Sequence, residues 1–341
     1  MRAVNGRYSR QALLPWIGEV GQERIQKATA AVVGVGALGC ASSALLARAG
    51  VGRLILVDRD HVEESNLQRQ ALFTEAHWRA RLPKAVAAEQ ALREIRPDLE
   101  VEALAEDLGP ERARDLFQRA AVVLDGTDNF ETRYLLNDAA VEAGRPWIYG
   151  GAVSTFGTLL AIRPGLTPCL RCLFPAPPAP GSAPTCDTAG VLGPAAAAVG
   201  ALQAGEALKV LAGREDLCAP ALRGFDLLDG SFSSVRPPRE PACPCCGARA
   251  FDFLEERGTS RTHRLCGRDG VMVLAPPGTR LDLPSLEARL RAFGPVFRNP
   301  YLIQTEWEGH PVTLYADGRA LVQKTPDPAR ARALYARYLG M

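Results

Sequence analysis

The first half of the chain alternates short apolar runs with helical patterns. The runs at 28–35 (ATAAVVGV) and 53–58 (RLILVD) predict strands, and the segment 38–50 between them predicts a helix. A further apolar run at 120–129 predicts another strand, and helical segments precede and follow it. This alternation predicts a doubly wound, mainly parallel sheet, whose ligands bind at the carboxyl ends of the strands.

The pattern changes in the second half of the chain. Segments 152–165 and 222–237 predict antiparallel strands, and a helix rich in small apolar residues lies between them. After a polar stretch at 255–262 the pattern is β-α-β-β-α, in which 311–324 is predicted as one strand. We therefore predict an α/β fold with a Rossmann-like, mainly parallel sheet that continues into antiparallel strands, plus a small C-terminal α/β domain. The predicted domains are 1–250 and 251–341.

Composition indicates an ordinary globular protein. The 341 residues carry a net charge of +2, from 40 basic and 38 acidic side chains, so no nucleic-acid surface is required. The N-terminus lacks the apolar core of a signal peptide. Gln203, Glu206 and Lys209 interrupt the longest apolar run, which therefore predicts a buried helix and no membrane span. We expect a cytoplasmic protein whose nine cysteines are reduced and serve metal binding or catalysis.

A glycine-rich turn, GVGALG, follows the first predicted strand from Gly34 to Gly39. Glycines at this spacing let the backbone approach phosphates at a helix N-terminus, which suits NAD and ATP equally. The second strand ends in Asp58, which is placed to accept hydrogen bonds from ribose hydroxyls. A turn aspartate that binds no ligand is the alternative for Asp58.

Two cationic side chains favour a triphosphate. Lys84 stands at the predicted start of a helix, where a positive charge opposes the macrodipole unless an anion lies nearby. Arg69 lies in the segment SNLQRQ, shortly after Asp58. A triphosphate that undergoes displacement needs such clamps and a divalent metal, whereas a pyrophosphate-bridged dinucleotide needs little cationic help. Ordinary surface charges are the alternative for both residues.

Two carboxylates follow the strand that ends in the segment LDGTDN. Asp125 and Asp128 offer the hard oxygen ligands that Mg²⁺ prefers. Asp128 could instead cap the helix that is predicted to start at Phe130, since Asp and Asn are favoured at this position.

Two cysteine pairs have the spacing of metal ligands. Cys169 and Cys172 form one C-x-x-C knuckle, and Cys243 and Cys246 form another. Two such knuckles in a cytoplasmic chain predict a tetrahedral structural zinc site. Cys245 could replace a neighbour, but the two-residue spacing favours Cys243 with Cys246.

Eight motifs occur in order between about residues 7 and 247: RYSRQ, GVGALGC, NLQRQ, LPK, GTDN, PCLRC, TC…AGV and CPCCG. Together they resemble the ThiF/MoeB adenylyltransferases, which are relatives of ubiquitin-activating enzymes. The resemblance implies an enzyme that uses Mg²⁺ and ATP to adenylate the C-terminal glycine of a ubiquitin-like sulfur-carrier protein, with release of pyrophosphate. The activated carboxylate would then receive sulfur, for a cofactor or for tRNA thiolation, from a sulfurtransferase or a cysteine desulfurase.

The resemblance also implies the nucleotide-binding residues. Asp58 would bind the ribose, Arg69 and Lys84 would hold the phosphates, and Asp128 would bind Mg²⁺. Ala37 departs from the family pattern, because close relatives often carry glycine there. The implied set is Gly34, Gly36, Ala37, Gly39, Asp58, Asn66, Arg69, Lys84, Asp128 and Asn129.

Two more residues take their roles from the resemblance alone. Arg10 corresponds to an arginine that reaches the active site of the other subunit, which implies a homodimer. Cys186 corresponds to a cysteine that can attack the activated carrier or pass on sulfur. With Arg69, Lys84 and Asp128, these two complete the implied catalytic set.

Three other interpretations stay open at this stage. The glycine turn alone also fits an NAD-dependent Rossmann oxidoreductase, and a catalytically silent scaffold could dock a ubiquitin-like partner. Cys266, in LCGRDG, suggests an appended rhodanese-type sulfurtransferase. The tail is short and has the wrong element order for that domain, so we favour a small α/β appendage.

Overall fold

The computed structural model describes residues 6–178, 185–255, 262–264, 270–276 and 278–340. These residues form two compact units. The first contains the described residues before Ala80 and those from Pro83 to Glu255. The second contains Ala80–Leu82 and the described residues from Thr262 onwards. Residues 80–82 and 251–255 therefore each lie in the other unit from the one that the predicted domain bounds gave them. Cys266 lies outside the described residues.

An eight-stranded sheet forms the centre of the first unit, in the order β3-β2-β1-β4-β5-β6-β7-β8. Strands β1 to β5 pair in parallel, and β5 to β8 pair antiparallel, which confirms the predicted Rossmann-like sheet and its continuation. The strands are β1 (Thr29–Val33), β2 (Arg53–Val57), β3 (Glu100–Leu104), β4 (Val122–Asp125), β5 (Trp147–Val153), β6 (Phe156–Ile162), β7 (Leu222–Asp226) and β8 (Ser231–Val235).

Helices connect the parallel strands, because parallel neighbours need a crossover connection. The helix between β1 and β2 ends where Gly50 adopts a left-handed backbone (φ +95°), the conformation that a C-cap glycine supplies. The helices are α1 (Ser9–Ala12), α2 (Gly18–Lys27), α3 (Ala37–Ala49), α4 (Glu75–Arg79), α5 (Lys84–Ile95), α6 (Pro110–Arg119), α7 (Phe130–Ala143), α8 (Leu170–Leu173), α9 (Cys186–Ala189) and α10 (Gly193–Leu211).

The small-residue helix α10 packs against α3 and against the centre of the sheet. Gly200 permits this approach, because a Cβ there would lie 2.6 Å from the carbonyl oxygen of Leu38. The buried Gln203 donates hydrogen bonds to the carbonyl oxygens of Asp125 (2.7 Å) and Ile148 (3.0 Å). The polar residues of this apolar run therefore serve internal contacts. No helix in the described part of the chain has both the length and the apolar character that crossing a bilayer requires.

The second unit is built on a six-stranded antiparallel sheet, in the order β11-β12-β13-β14-β10-β9. Its core includes Leu290, Trp307 and Leu334. The segment 311–324 is two strands and not one, because the chain reverses at Gly318, which has φ +87°. The elements are β9 (Thr262–Arg264), β10 (Gly270–Val273), α11 (Leu283–Leu290), β11 (Phe297–Arg298), β12 (Leu302–Trp307), β13 (His310–Tyr315), β14 (Ala320–Gln323) and α12 (Pro328–Leu339).

Candidate active site

The glycine turn connects β1 to α3 and lies against the segment after β4. Gly34 has φ +83°, and a Cβ there would lie 2.6 Å from the carbonyl carbon of Gly126. A Cβ at Gly39 would overlap the carbonyl oxygen of Gly34. At Gly36, by contrast, a Cβ would meet no described atom closer than 3.8 Å. The first and third glycines thus satisfy internal packing, while the second leaves space beside the N-terminus of α3.

The N-terminus of α3 is suited to an anion. Its N-cap residue is Gly36, which provides no side-chain hydrogen bond to the first turn. The backbone N–H groups of a first helical turn have no partner within the helix, and the macrodipole favours negative charge near them. Ala37, the departure from the family pattern, is the first residue of α3. Alanine has a high helix propensity, so this substitution is compatible with its position.

Asp58 follows β2 and is tied to the glycine turn. Its Oδ2 accepts a hydrogen bond from the backbone N–H of Val35 at 2.7 Å, and its Oδ1 accepts one from that of Asp60 at 2.8 Å. Burial raises the pKa of Asp58, and the positive charge of Lys84 opposes that rise. Each carboxylate oxygen has a second lone pair, so Asp58 can accept ribose hydroxyls in this geometry.

Lys84 is the first residue of α5 and is held against Asp60. The side chain of Lys84 is 7% exposed, and its Nζ lies 3.1 Å from Oδ2 of Asp60. The backbone N–H of Lys84 also donates to the carbonyl oxygen of Asp60 at 2.9 Å. Sequence reasoning required an anion near Lys84 but did not identify Asp60, which stands only two residues after Asp58. The carboxylate of Asp60 orients the ammonium group before any phosphate binds.

Asp128 is exposed and lies in the loop after β4. It does not cap α7: that position belongs to Asn129, whose Oδ1 accepts a hydrogen bond from the backbone N–H of Thr132 at 2.8 Å. The alternative role of Asp128 as a cap is therefore wrong. Burial disfavours the charge of Arg59, yet nearby carboxylates, among them Asp107 and Asp128, hold the pKa of Arg59 above its usual range.

Asp125, the other carboxylate considered for Mg²⁺, is buried and used internally. Its Oδ1 accepts hydrogen bonds from the backbone N–H (2.9 Å) and the hydroxyl (2.7 Å) of Thr127. Its Oδ2 lies 3.3 Å from Nε of Arg133. Burial raises the pKa of Asp125, and Arg133 opposes that effect. Asp125 thus shapes the loop after β4, and Asp128 is the carboxylate of this pair that faces solvent.

The segment SNLQRQ contains two buried amide side chains, those of Asn66 and Gln70. Oδ1 of Asn66 accepts a hydrogen bond from the backbone N–H of Glu63 at 3.1 Å. Its Nδ2 is buried and has no hydrogen-bond partner among the described residues. Gln70, which sequence reasoning missed, lies beside Gly36, and its buried Oε1 is likewise without a partner in the described chain. Unsatisfied buried polar atoms are costly, so a polar ligand that reached either atom would stabilise it.

Arg69, in the same segment, is half-buried. Its Nη1 donates to the carbonyl oxygen of Ser65 at 2.7 Å. Its backbone lies close to the start of α10, since a Cβ added at Gly193 would be 3.5 Å from the Cα of Arg69. The guanidinium keeps further donors for an anion after its bond to Ser65.

The roles predicted for Arg10 and Cys186 come from the family resemblance alone. Arg10 lies on α1 with an exposed side chain, and no described residue of this chain forms an ion pair or a side-chain hydrogen bond with it. Cys186 is the first residue of α9, which Thr185 caps, and the structure describes the backbone of Cys186 alone. Among the described residues, no ion pair or side-chain hydrogen bond within the chain connects Arg10 to the residues around the glycine turn.

The four cysteines of the two knuckles meet in one cluster. Sγ of Cys169 lies 3.8 Å from that of Cys172 and 3.6 Å from that of Cys243, and the Sγ atoms of Cys172 and Cys246 are 3.4 Å apart. Zinc–sulfur bonds of about 2.3 Å in a tetrahedron require sulfur separations of about 3.8 Å, so the cluster has the size of such a site. The four sulfur atoms could hold one metal ion.

Cys245 is excluded from this cluster. It is fully buried, and its Sγ accepts a hydrogen bond from Nδ2 of Asn137 at 3.3 Å. Oδ1 of Asn137 accepts from the backbone N–H of Leu170 at 2.7 Å, in the helix that carries Cys172. Cys245 thus supports the first knuckle through Asn137, and the predicted pairing of Cys243 with Cys246 is the one that the structure shows.

The sequence of this chain is similar to those of a known protein family. Residues 8–245 match the ThiF family. The chain belongs to the ThiF family. This ThiF-family chain is 44% identical over 340 residues to the sulfur carrier protein ThiS adenylyltransferase of Bacillus subtilis (strain 168), a match that covers 99% of the chain and 100% of that protein. It is also 44% identical over 247 residues to a sulfur carrier protein adenylyltransferase of Thermus thermophilus, covering 71% of the chain and 90% of that protein.

Among solved structures, Escherichia coli MccB with MccA-N7isoASN has the same fold. The TM-score is 0.62 at 24% sequence identity, and the match covers 72% of this chain and 76% of the MccB chain. The family match and the fold together confirm the resemblance drawn from the eight motifs.

Proposed function

We propose that this protein is an ATP-dependent adenylyltransferase that activates the C-terminal glycine of a ubiquitin-like sulfur-carrier protein. The observation that carries the proposal is the 44% identity over 340 residues to a sulfur carrier protein ThiS adenylyltransferase, whose whole length is covered. Neither of the two relatives compared above is named an oxidoreductase. The cations Arg69 and Lys84, which follow Asp58 along the chain, agree with a triphosphate better than with NAD.

ATP would bind at the carboxyl ends of β1, β2 and β4. The N-terminus of α3 would receive phosphate oxygens, and Asp58 would accept the ribose hydroxyls. Asn66 and Gln70 would use their unsatisfied amide atoms on the nucleotide, and Asn129 would line the same pocket. Ala37, at the first turn of α3, would take part through its backbone.

Mg²⁺ fits the exposed carboxylate of Asp128, because an oxygen donor at a sheet edge that faces solvent suits this hard cation. When bound, Mg²⁺ neutralises charge on phosphate oxygens. Asp128 would hold it at the end of β4, and Asp125 would keep the loop in shape through Thr127.

The reaction needs no side-chain nucleophile. A carboxylate oxygen of the carrier forms a bond to the α-phosphorus in line with the bond that breaks, and pyrophosphate leaves. Lys84 and Arg69 stabilise the charge that develops on the phosphate oxygens. Because Asp60 holds Lys84 in place at 3.1 Å, this stabilisation requires little reorganisation during the reaction. The product is a mixed anhydride, which activates the glycine carboxyl group for sulfur transfer.

Pyrophosphate exchange tests the proposed function. The full chain is mixed with ATP, Mg²⁺, labelled pyrophosphate and a carrier that ends in Gly-Gly. We expect label to enter ATP, and the same carrier without its last glycine is the control that should give no exchange. Absence of exchange with every carrier tested, together with a fluorescence change on adding NADH, would favour the oxidoreductase. A scaffold would bind carriers without exchanging label.

The cysteine cluster is proposed to hold one structural zinc ion. Four cysteine sulfur atoms that all lie within 4.8 Å of one another offer the donor set of structural zinc sites, which are closed to substrate. Such a site stays intact only where thiols are reduced, so we propose that the protein works in the cytoplasm.

Homodimerisation is proposed from the position of Arg10. The side chain is exposed and without a described partner in its own chain, as expected for a residue that acts in a partner's site. Arg10→Ala and Lys84→Met should each reduce exchange strongly. When the two variants are mixed in equal amounts, hybrid dimers contain one intact site, so the rate should recover to roughly a quarter of wild type. No recovery in mixtures shown to exchange subunits would contradict the shared site.

Cys186 is proposed to act after adenylation, either on the activated carrier or in passing on sulfur. The four cysteines that could hold a metal ion are Cys169, Cys172, Cys243 and Cys246, so the proposed zinc site does not require the thiol of Cys186. We expect Cys186→Ala to retain pyrophosphate exchange but to slow the formation of carrier thiocarboxylate, measured by mass spectrometry with a sulfur donor present. Cys218→Ala, which removes a buried thiol elsewhere, is the control. Equal thiocarboxylate rates in both variants would show that Cys186 is not required.

A further inference from the structure

The segment Ala80–Leu82 belongs to the second unit although the chain on either side of it belongs to the first. Pro83 and Lys84 follow it directly, and Lys84 begins α5. The chain therefore passes from one unit to the other not only between Glu255 and Thr262 but also immediately before the lysine of the candidate site. What holds 80–82 in the second unit consequently bears on Lys84.

Asn299 binds this segment with one side chain. Its Nδ2 lies 3.0 Å from the carbonyl oxygen of Ala80 and 3.0 Å from that of Arg81, so each hydrogen of the amide group has an acceptor. Its Oδ1 accepts hydrogen bonds from the backbone N–H groups of Tyr301 (2.8 Å) and Leu302 (2.9 Å). Asn299 thus links the start of β12 to the segment 80–81, and both hydrogens of its side-chain amide are used.

A second contact comes from Phe297 on β11. The guanidinium carbon of Arg81 lies 4.1 Å from the centroid of the Phe297 ring, within the range of a cation–π interaction. Arg81 has φ +50°, a left-handed conformation that is strained for a non-glycine residue. Such a conformation persists only where its surroundings determine it, and Asn299 and Phe297 are those surroundings.

The other side of Lys84 is held by the first unit. The backbone N–H and the Nζ of Lys84 both bind Asp60, and Pro83 has the fixed φ of proline at −55°. The chain has only Leu82 and Pro83 between the strained Arg81 and Lys84. Displacement of 80–81 would therefore be transmitted to the first turn of α5 over a short, stiff connection.

We propose that the second unit positions Lys84 for phosphate binding, by holding Ala80 and Arg81 through Asn299 and Phe297. Asn299 and Phe297 are positioning residues and do not touch the substrate. This inference rests on the proposed function in so far as Lys84 binds the phosphates of ATP. It gives the C-terminal appendage a role in the reaction of the N-terminal unit, without assigning it a separate activity.

Asn299→Asp is the sharpest variant. An aspartate keeps the oxygen that accepts from Tyr301 and Leu302, but it places a carboxylate oxygen against two carbonyl oxygens. We expect the full-length variant to bind ATP about tenfold more weakly than wild type, measured calorimetrically without carrier. The same substitution in a Lys84→Met background should change the ATP dissociation constant little, because the effect acts through Lys84. Glu308→Gln, which removes the ion pairs to Arg330 and Arg337 in the same unit, should leave ATP affinity unchanged.

Hydrogen exchange provides a readout that does not depend on ATP. Amides of 80–87 should exchange faster in Asn299→Asp than in wild type or Glu308→Gln. Unchanged exchange there would overturn the inference, whatever the outcome of the pyrophosphate assay. An equal loss of ATP affinity with and without Lys84 would also overturn it. If the variants show the expected coupling in ATP affinity but wild-type protein exchanges no pyrophosphate with any carrier, the proposed function is contradicted. The positioning role would then still be supported.

Discussion

Asp128→Asn is expected to lower the rate of pyrophosphate exchange by about 10²–10³-fold, as removal of a group that stabilises transition-state charge does in other enzymes. The proposed reason is loss of the Mg²⁺ ligand at the end of β4. The side chain is exposed, and Asn129, not Asp128, caps α7. The melting temperature of the variant should therefore equal that of wild type, and raising the Mg²⁺ concentration should restore part of the rate.

Asp125→Asn is the matched control, because it removes the same charge three residues earlier in the chain. Asp125 is buried against Thr127 and Arg133, so its amide variant should lose about 1–3 kcal/mol of the free energy of unfolding. Its residual exchange activity should not respond to Mg²⁺ concentration. Near-normal exchange by Asp128→Asn would show that Asp128 does not bind the catalytic metal.

Part of the candidate site could be predicted from short sequence motifs. The glycine turn and Asp58 each follow a strand that is visible in the sequence as an apolar run. It could therefore be predicted that they lie close together at the carboxyl ends of the parallel strands. The pairing of Lys84 with Asp60 could not be predicted in the same way, because it joins a helix start to the end of a different strand. Even so, a positive charge at the start of a helix opposes the macrodipole, so the position of Lys84 indicated that an anion lies nearby.

Other differences have specific physical reasons. Asp128 and Asn129 are both good N-caps, and the choice depends on a one-residue shift of the helix start, which sequence patterns do not resolve. The segment 311–324 contains the Asp317–Gly318 pair, which is typical of a hairpin turn and agrees with its division into two strands. The hold of Asn299 on Ala80 and Arg81 joins residues more than 200 positions apart, and no local pattern indicates it.

Cys243→Ser should have the largest effect on stability. Structural zinc contributes on the order of 10 kcal/mol of apparent free energy at neutral pH, which is comparable to the whole stability of a typical domain. The cluster joins α8 to the segment after β8, two regions about 70 residues apart along the chain, since Cys169 and Cys172 meet Cys243 and Cys246. Loss of one ligand should therefore release both segments. We expect less than one zinc ion per two chains in the purified variant by elemental analysis, and a melting temperature lowered by at least about 10 °C.

Cys245→Ser is the matched control for this experiment. It changes a neighbouring buried cysteine, yet a serine oxygen can still accept the hydrogen bond from Asn137, and the four metal ligands remain. This variant should retain one zinc ion per chain. A strong chelator should lower the melting temperature of wild type and of Cys245→Ser toward that of Cys243→Ser, and added zinc should restore it. Wild-type protein that contains no zinc when purified without chelator, or a Cys243→Ser variant as stable as Cys245→Ser, would contradict a structural metal, because the four thiols would then be packing without a shared ligand.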